Sequence, residues 1–272
     1  MTKKNKSAIQ RRLIPTYIFL IIVSFISVFP LYWMISAATN TSTDVSRGRI
    51  IPGSYFMENF RNLTSQQPLW RALGNSFFYA ILTTVICLLV CSIAGYGFEV
   101  YHDKWKDRVF SILLLAMMVP QVATMVPLFK MFSKAGLLNT AVGFILPIIS
   151  TPFMIMMFRQ NARSFPVDII EAARIDGLNE VRIFFQMFIP TMKSTYAAAA
   201  VITFMNAWNS YLWPKVIMTD NKAMTMPMLI ANLITGYVTD YGMLMCGVLF
   251  CSIPTMIVFF VLQKQFAEGI TG

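Results

Sequence analysis

The stretch 72–98, ALGNSFFYAILTTVICLLVCSIAGYGF, runs for 27 residues without a charged side chain. A helix of about 20 apolar residues crosses the roughly 30 Å hydrocarbon core of a bilayer, so this stretch is long enough with a margin. A helix buried in a soluble core is rarely that long without a charge. Five further charge-free stretches are of the same kind, at 13–43, 109–129, 135–158, 194–214 and 241–263. Over all 272 residues, 57% are hydrophobic and 12% charged. That is half of the roughly 25% charge expected of a soluble domain. The pattern predicts an all-α, polytopic membrane protein with six transmembrane helices.

The formal net charge is +10. On a soluble chain that would suggest nucleic acid; on six spans the excess of cations in inner loops accounts for it, and no nucleic acid is implied. With the N-terminus inside, inner segments hold 14 of the 22 Lys and Arg, from Lys3, Lys4, Lys6, Arg11 and Arg12 to Lys264, and outer segments hold 8. Both termini are then cytoplasmic. The expected organisation is a tail at 1–12, a single transmembrane domain at 13–264 and a second tail at 265–272. The basic, apolar start resembles a secretory signal, but the apolar run from Leu13 is too long for one and more spans follow. An uncleaved first helix is expected. Cys87, Cys91, Cys246 and Cys251 all lie within spans. Cys87 and Cys91, one turn apart, could hold a metal, but read more simply as small packing residues; no disulfide framework is suggested. Pro120 and Pro127 should kink or break the third span. The fourth carries Pro147 and Pro152.

Between the fourth and fifth spans lies a polar, helix-forming insert at about 159–193. Pro166 suits the first position of a helix, where its missing N–H would be unpaired anyway. Asp168 falls in the first turn, where the helix dipole favours an anion. Gly177 fits the residue just past a helix end, which often needs a positive φ. A three-turn helix over 166–176 is therefore predicted. Asn179 can cap a second helix that runs through Phe184 and Phe185 toward Pro190. Ala172 and Ala173 allow close approach, Val167, Ile170 and Ile175 offer apolar surface, and Glu171 and Arg174 can pair with each other or with a partner. The insert reads either as a knob for a socket on another protein or as an amphipathic helix at the headgroups.

Glu171-Ala172-Ala173, three residues, Gly177, nine residues, then Met187-Phe188-Ile189-Pro190 resembles the EAA loop of transmembrane subunits of bacterial ABC importers. Ile175-Asp176-Gly177 is the form typical of carbohydrate importers. Pro-Leu-Tyr-Trp at 30–33, Asn75-Ser76, the Pro120 and Pro127 pair, Trp208-Asn209 and Glu268-Gly269 extend the resemblance to the smaller, maltose-type sugar permease subunit. The resemblance implies that the EAA helix sits in a cleft of a cytoplasmic ATPase and transmits its closure. Glu171 would make the polar contact, Ala172 and Ala173 the close-packing surface, Gly177 the turn, with Arg174, Asp176, Ile189 and Pro190 completing the coupling element. This chain has no Gly-x4-Gly-Lys-Ser/Thr phosphate loop, so ATP and its Mg would be bound by partner chains. The implied partners are a second permease subunit in a heterodimer, two ATPase subunits and an extracytoplasmic solute-binding protein. This chain itself is expected to bind no cofactor or metal and to have no catalytic residue.

Polar residues within spans mark solute pathways or hydrogen bonds between helices. Gln121, Asn206, Trp208, Asn209 and Tyr211 are the candidates here. Asn206 and Asn209 share a helix face; amides exchange hydrogen bonds with sugar hydroxyls in both directions, and aromatic rings cover sugar C–H faces. His102, the sole histidine, reads as an exposed loop residue. A non-sugar solute, such as a glycerol phosphodiester or a polyamine, is the alternative cargo. An ion-coupled secondary transporter would need carboxylates deep in the spans, and an intramembrane enzyme a catalytic cluster; neither is present in the sequence.

Overall fold

The computed structural model describes residues 3–235 and 239–271, with side chains over 13–235 and 239–263. The tail cations Lys3, Lys4, Lys6, Arg11, Arg12 and Lys264, and the tail side chains of 265–272, lie outside the described side chains. The described backbone is helical, without a strand. Helix α1 is Lys3–Ala38, α2 is Phe56–Gln66, α3 is Leu69–Val100, α4 is Lys104–Ala116 and α5 is Gln121–Lys134. Helix α6 is Pro152–Ala162, α7 is Val167–Ile175, α8 is Glu180–Ile183, α9 is Lys193–Trp208, α10 is Met226–Ile234 and α11 is Tyr241–Thr271.

Three helical segments among the described residues are long and apolar enough to cross a membrane: Leu13–Ala38, Leu69–Val100 and Tyr241–Gln263. The number rises to five if each of two bent pairs is one span. The first pair, α4 and α5, bends by 100°. Its break ends at Pro120, which adopts φ −62° and ψ 130° and cannot continue the preceding helix. Pro127 causes no break and lies inside α5. The second pair joins Ala141–Ile148 to α6 with a bend of 53°, and Pro152 opens α6.

The fifth charge-free stretch, 194–214, departs from the expected span. Its helix α9 has 16 residues, about 24 Å at 1.5 Å per residue, less than the roughly 30 Å of hydrocarbon. Absence of charge did not make it continuous. Pro214 has no N–H to return to Ser210, and its ring crowds that carbonyl. The helix therefore stops at Asn209 and resumes as Leu212–Ile217.

By its internal packing the chain divides into two compact units, residues 1–67 with 232–250, and 68–231 with 251–272. In the first, buried Asn59 ties the turn after α1: its Nδ2 donates to the carbonyls of Ala38 and Asn40, each at 2.9 Å. Asn40 in turn donates to Ser36 and Ile51. Gly242 approaches so closely that a Cβ there would lie 2.7 Å from the Asn40 carbonyl oxygen.

The second unit is organised around α3, which packs on α6 and α9. Small residues permit the approach. A Cβ on Gly95 would lie 2.6 Å from the Cβ of Phe158, and Ala198 and Ala199 of α9 are fully buried. Cys87 and Cys91 join Met154, Ile155, Phe158 and Ala199 in one apolar cluster, their sulfurs 3.7 Å apart. A second cluster joins Tyr96 of α3 to Ile170, Ala173, Ile183, Phe184 and Phe188 of the insert.

Candidate functional site

Helix α7 begins one residue later than the sequence suggested. Pro166 is its cap, with extended ψ of 126°, rather than its first residue. The C-terminal turn is built on Gly177, at φ +80°. The Gly177 N–H bonds the Arg174 carbonyl at 3.1 Å and the Leu178 N–H bonds Ala173 at 3.0 Å. These two bonds close the helix end in the pattern that requires a left-handed residue, and Leu178 packs against the apolar cluster below. Asn179 caps α8 by accepting from the Arg182 N–H at 2.9 Å.

The second helix does not run uninterrupted to Pro190. After α8 the backbone widens into a π turn over Phe184–Phe188, where the Ile189 N–H reaches back to the Phe184 carbonyl. Pro190 lacks the N–H that would satisfy a regular helix at this point. The wider turn seats Phe184 and Phe188 in the core and leaves Phe185 50% exposed.

The motif residues divide by face. Ile170 and Ala173 are buried in the chain's own cluster, so Ala173, at 4% exposure, offers no surface to a partner. Glu171, Ala172 and Asp176 are exposed, as is Pro190, while Ile189 is half-buried. Ile175 is 85% exposed, and Val167, at the other end of the helix, and Val181 of α8 are 62% and 64% exposed. Arg174 does not pair with Glu171 as its spacing allowed. Its Nε bonds Glu180 Oε1 at 2.7 Å. The other Glu180 oxygen accepts the Tyr101 hydroxyl, just past the end of α3. Arg174 and then Tyr101 hold the Glu180 carboxyl below the usual glutamate range.

Sequence reasoning missed this bridge and a second ionic group beside it. Arg159, nearly buried, bonds Glu99 at 3.2 Å and Asp107 at 2.6 Å and lies 4.4 Å over the Phe110 ring. His102 is exposed, and its Nε2 reaches Asp107 at 2.9 Å. A signal was there to be read: Glu99 and Arg159 are the first charges after the stretches 72–98 and 135–158, and they have opposite sign.

Three helix breaks, at Pro120, at 149–151 and at 209–211, meet around one cavity of about 460 Å³. Irregular backbone at membrane depth is tolerated where it lines such a space. Gln121, Asn206, Asn209 and Tyr211 all line it, and so do Thr83, Cys87 and Ser210. Among the described residues no charged side chain does. Asn209 donates to the Met205 carbonyl at 2.9 Å. Among the described residues the buried Thr83 hydroxyl finds no partner. Trp208 does not join the lining. It is 1% exposed, its indole N–H bonds the Cys251 carbonyl at 3.0 Å, and its ring stacks on Phe204. Such a cavity can hold an uncharged polar solute of modest size, within the roughly 300–1,000 Å³ range of small-molecule sites.

Residues 88–272 match the sequence profile described as a binding-protein-dependent transport system inner membrane component. The chain is 40% identical over 268 residues to the lactose transport system permease protein LacG of Rhizobium radiobacter, covering 98% of each. It is 36% identical over 254 residues to the arabinooligosaccharides transport system permease protein AraQ of Halalkalibacterium halodurans, covering 92% of this chain and 91% of that one. In fold it is similar, with a TM-score of 0.82 over 98% of this chain and 99% of the other, to a chain of a bacterial ABC transporter involved in the import of the acidic polysaccharide alginate, at 20% identity. A match over two thirds of the sequence, together with near full-length relatives, is enough to conclude that this all-helical, multi-pass inner-membrane protein belongs to the family of binding-protein-dependent transport system inner membrane components and is a transport subunit rather than an enzyme.

Proposed function

We propose that this chain is the transmembrane permease subunit of an ABC importer that moves a sugar or oligosaccharide into the cell. The observation that carries the reading is the insert. A short helix, closed by a glycine turn, presents Val167, Ile175, Glu171 and Ala172 outward while Ile170 and Ala173 anchor it to the chain's own core. An exposed apolar and acidic knob on a rigid base suits a cleft in a cytoplasmic ATPase. Two such ATPases would bind ATP and Mg and drive alternating access; Glu171, Ala172, Arg174, Asp176 and Gly177, with Ile189 and Pro190 behind them, form the coupling element.

The proposed permease occupies 13–264 with six spans and cytoplasmic tails, α9 and Leu212–Ile217 together serving as the fifth. Helix α1 has only 6% of its apolar window buried in this chain, which suits coverage by lipid and by a second permease subunit. An extracytoplasmic binding protein delivers the solute. The uncharged, amide-bearing cavity supports a neutral, hydroxyl-rich cargo, handled by Gln121, Asn206, Asn209 and Tyr211. Its two relatives named for lactose and arabinooligosaccharide transport point the same way.

The test is a gentle detergent pull-down of this chain from its native membranes, with peptide mass spectrometry, then reconstitution. Recovery of a second multispan permease and a P-loop ATPase, with uptake of a labelled neutral sugar on ATP addition, is the expected result. Recovery of this chain alone, as monomer or homo-oligomer, would sink the ABC reading.

A further inference from the structure

We infer that Glu180, outside the motif residues, is the positioning residue that fastens the docking helix α7 to the end of α3, the helix that walls the cavity. The inference rests on the docking reading of α7. Glu180 is the first residue of α8, and the Asn179 cap fixes the start of that helix. One carboxylate oxygen accepts from Arg174 on α7 at 2.7 Å. The other accepts from the Tyr101 hydroxyl, and Tyr101 directly follows the last residue of α3. A single side chain therefore holds both elements, 79 residues apart in sequence at the Tyr101 bond. Among the described residues Glu171 makes no such bond; the motif acid is free for a partner, while Glu180, itself half-exposed, is committed to Arg174 and Tyr101.

Ahead of α7, Glu99 of α3 pairs with Arg159 and Arg163; beyond α7, α8 and the π turn meet α3 through apolar groups beside the Tyr101 bond. The Tyr96 ring lies 5.4 Å from Phe184 and 4.8 Å from Phe188, and Tyr101 stands edge-on to Tyr96 at 6.2 Å. Ring contacts of this kind resist separation but permit sliding, because dispersion is non-directional. Two charge-assisted bonds to one carboxylate are directional and resist that sliding. Helix α3 then carries the displacement as one rigid rod. Thr83 and Cys87, on the cavity wall, lie 18 and 14 residues before Tyr101, about 27 and 21 Å along the axis. With the bridge intact, a push on α7 reaches the cavity; without it, α7 slides over Tyr96 and Phe184 and the push is dissipated.

The test uses the full complex in proteoliposomes, reading ATP hydrolysis and labelled-sugar uptake together. Glu180→Ala is expected to keep the ATPase bound and hydrolysing, and to lower uptake per ATP by about two- to fivefold, the scale of a half-exposed ion pair. Glu180→Gln keeps one oxygen to accept from Arg174 and turns the other position into an NH2 donor that the Tyr101 hydroxyl can meet only by accepting, so it should recover part of that loss. Tyr101→Phe removes only a hydroxyl, keeps the ring on Tyr96, and should lower the ratio without lowering the melting temperature by more than a degree or two. An unchanged ratio in Tyr101→Phe and Glu180→Ala, with the ATPase bound, would overturn the tether and leave the docking reading standing. Loss of ATPase binding in Glu180→Ala with an unchanged ratio in Tyr101→Phe would also overturn it, by making Glu180 a docking residue. A wild-type complex without an ATPase would overturn the docking reading and the tether with it.

Discussion

Replacing Gly177 tests the insert more sharply than any other change, because there the backbone cost can be isolated from crowding. Gly177 sits at φ +80°, and a Cβ built on it meets nothing within 4 Å. Any penalty is therefore conformational. An L-residue with a Cβ in the left-handed region costs about 1–2 kcal/mol, and a β-branched one about 3 kcal/mol. Alanine should thus shift the closed turn toward open forms by about 5- to 30-fold, and valine by more. Asparagine visits this region readily and should stay near wild type. Opening the turn breaks the bonds from Gly177 to Arg174 and from Leu178 to Ala173 and lifts Leu178 off its cluster. The spans are untouched, so the complex should still assemble, as judged by size exclusion. Sugar uptake driven by ATP should fall in the order Gly, Asn, Ala, Val. Wild-type uptake in Gly177→Val would refute the turn as the working element. Asparagine failing as badly as valine would refute the backbone argument.

At Gly95, alanine should force α3 from α6, since its Cβ would lie 2.6 Å from Phe158 Cβ and 2.7 Å from the Arg159 nitrogen; a loss of about 1–3 kcal/mol is expected, read as a lower melting temperature of the purified complex. Arg159→Leu removes the partner that Glu99 meets at 3.2 Å and leaves it exposed Arg163 at 3.5 Å; it should cost about 1–3 kcal/mol, with part restored when Glu99→Gln is added. Because Arg174 and Tyr101 depress the folded-state pKa of Glu180, its stabilising contribution is complete above the ordinary glutamate value and fades as pH falls through the lower folded one; the melting-temperature gap between wild type and Glu180→Gln should be level from pH 6 to 8 and close only below about pH 4. Asn206→Ala should raise the half-saturating sugar concentration about fivefold, the scale of one neutral hydrogen bond, whereas Trp208→Phe should lower thermal stability and leave half-saturation alone, its N–H being committed to Cys251.

What was legible in the sequence follows from whether the cause is local. The charge-free stretches, the break at Pro120, the positive φ at Gly177 and the cap at Asn179 depend on one residue and its immediate neighbours; the break before Pro152 is equally local, but no break is expected there from the sequence. The end of α9 also has a local cause in Pro214, but absence of charge, which defines the stretch, says nothing about backbone continuity. The gathering of Gln121, Asn206 and Asn209 at one cavity lay beyond local reading: amide chemistry marked the residues, but only tertiary packing brings three separate breaks together. The same holds for Glu180, which lies six residues past Arg174 on the far side of a turn and meets Tyr101 from another helix.

The two alanines of the motif face different sides of α7. Consecutive helix residues are about 100° apart around the axis, so Ala172 and Ala173 cannot both face one socket squarely. The residue three before Ala173 is Ile170, an apolar side chain on the same face, while Ala172 shares its side with Ile169 and Ile175. One face must go to the chain's own core if the insert is to be rigid, and the pair of Ile170 with Ala173 takes it. What remains for a partner is the face with Ala172, Ile175 and Glu171. A bulky residue at Ala173 would therefore damage the insert's seating on α3, while the same residue at Ala172 would strike only what docks from outside. Ala173→Leu should lower the melting temperature of the isolated chain, and Ala172→Leu should leave that temperature alone and weaken ATPase binding. The reverse pattern would mean that the helix is rotated from its face assignment here.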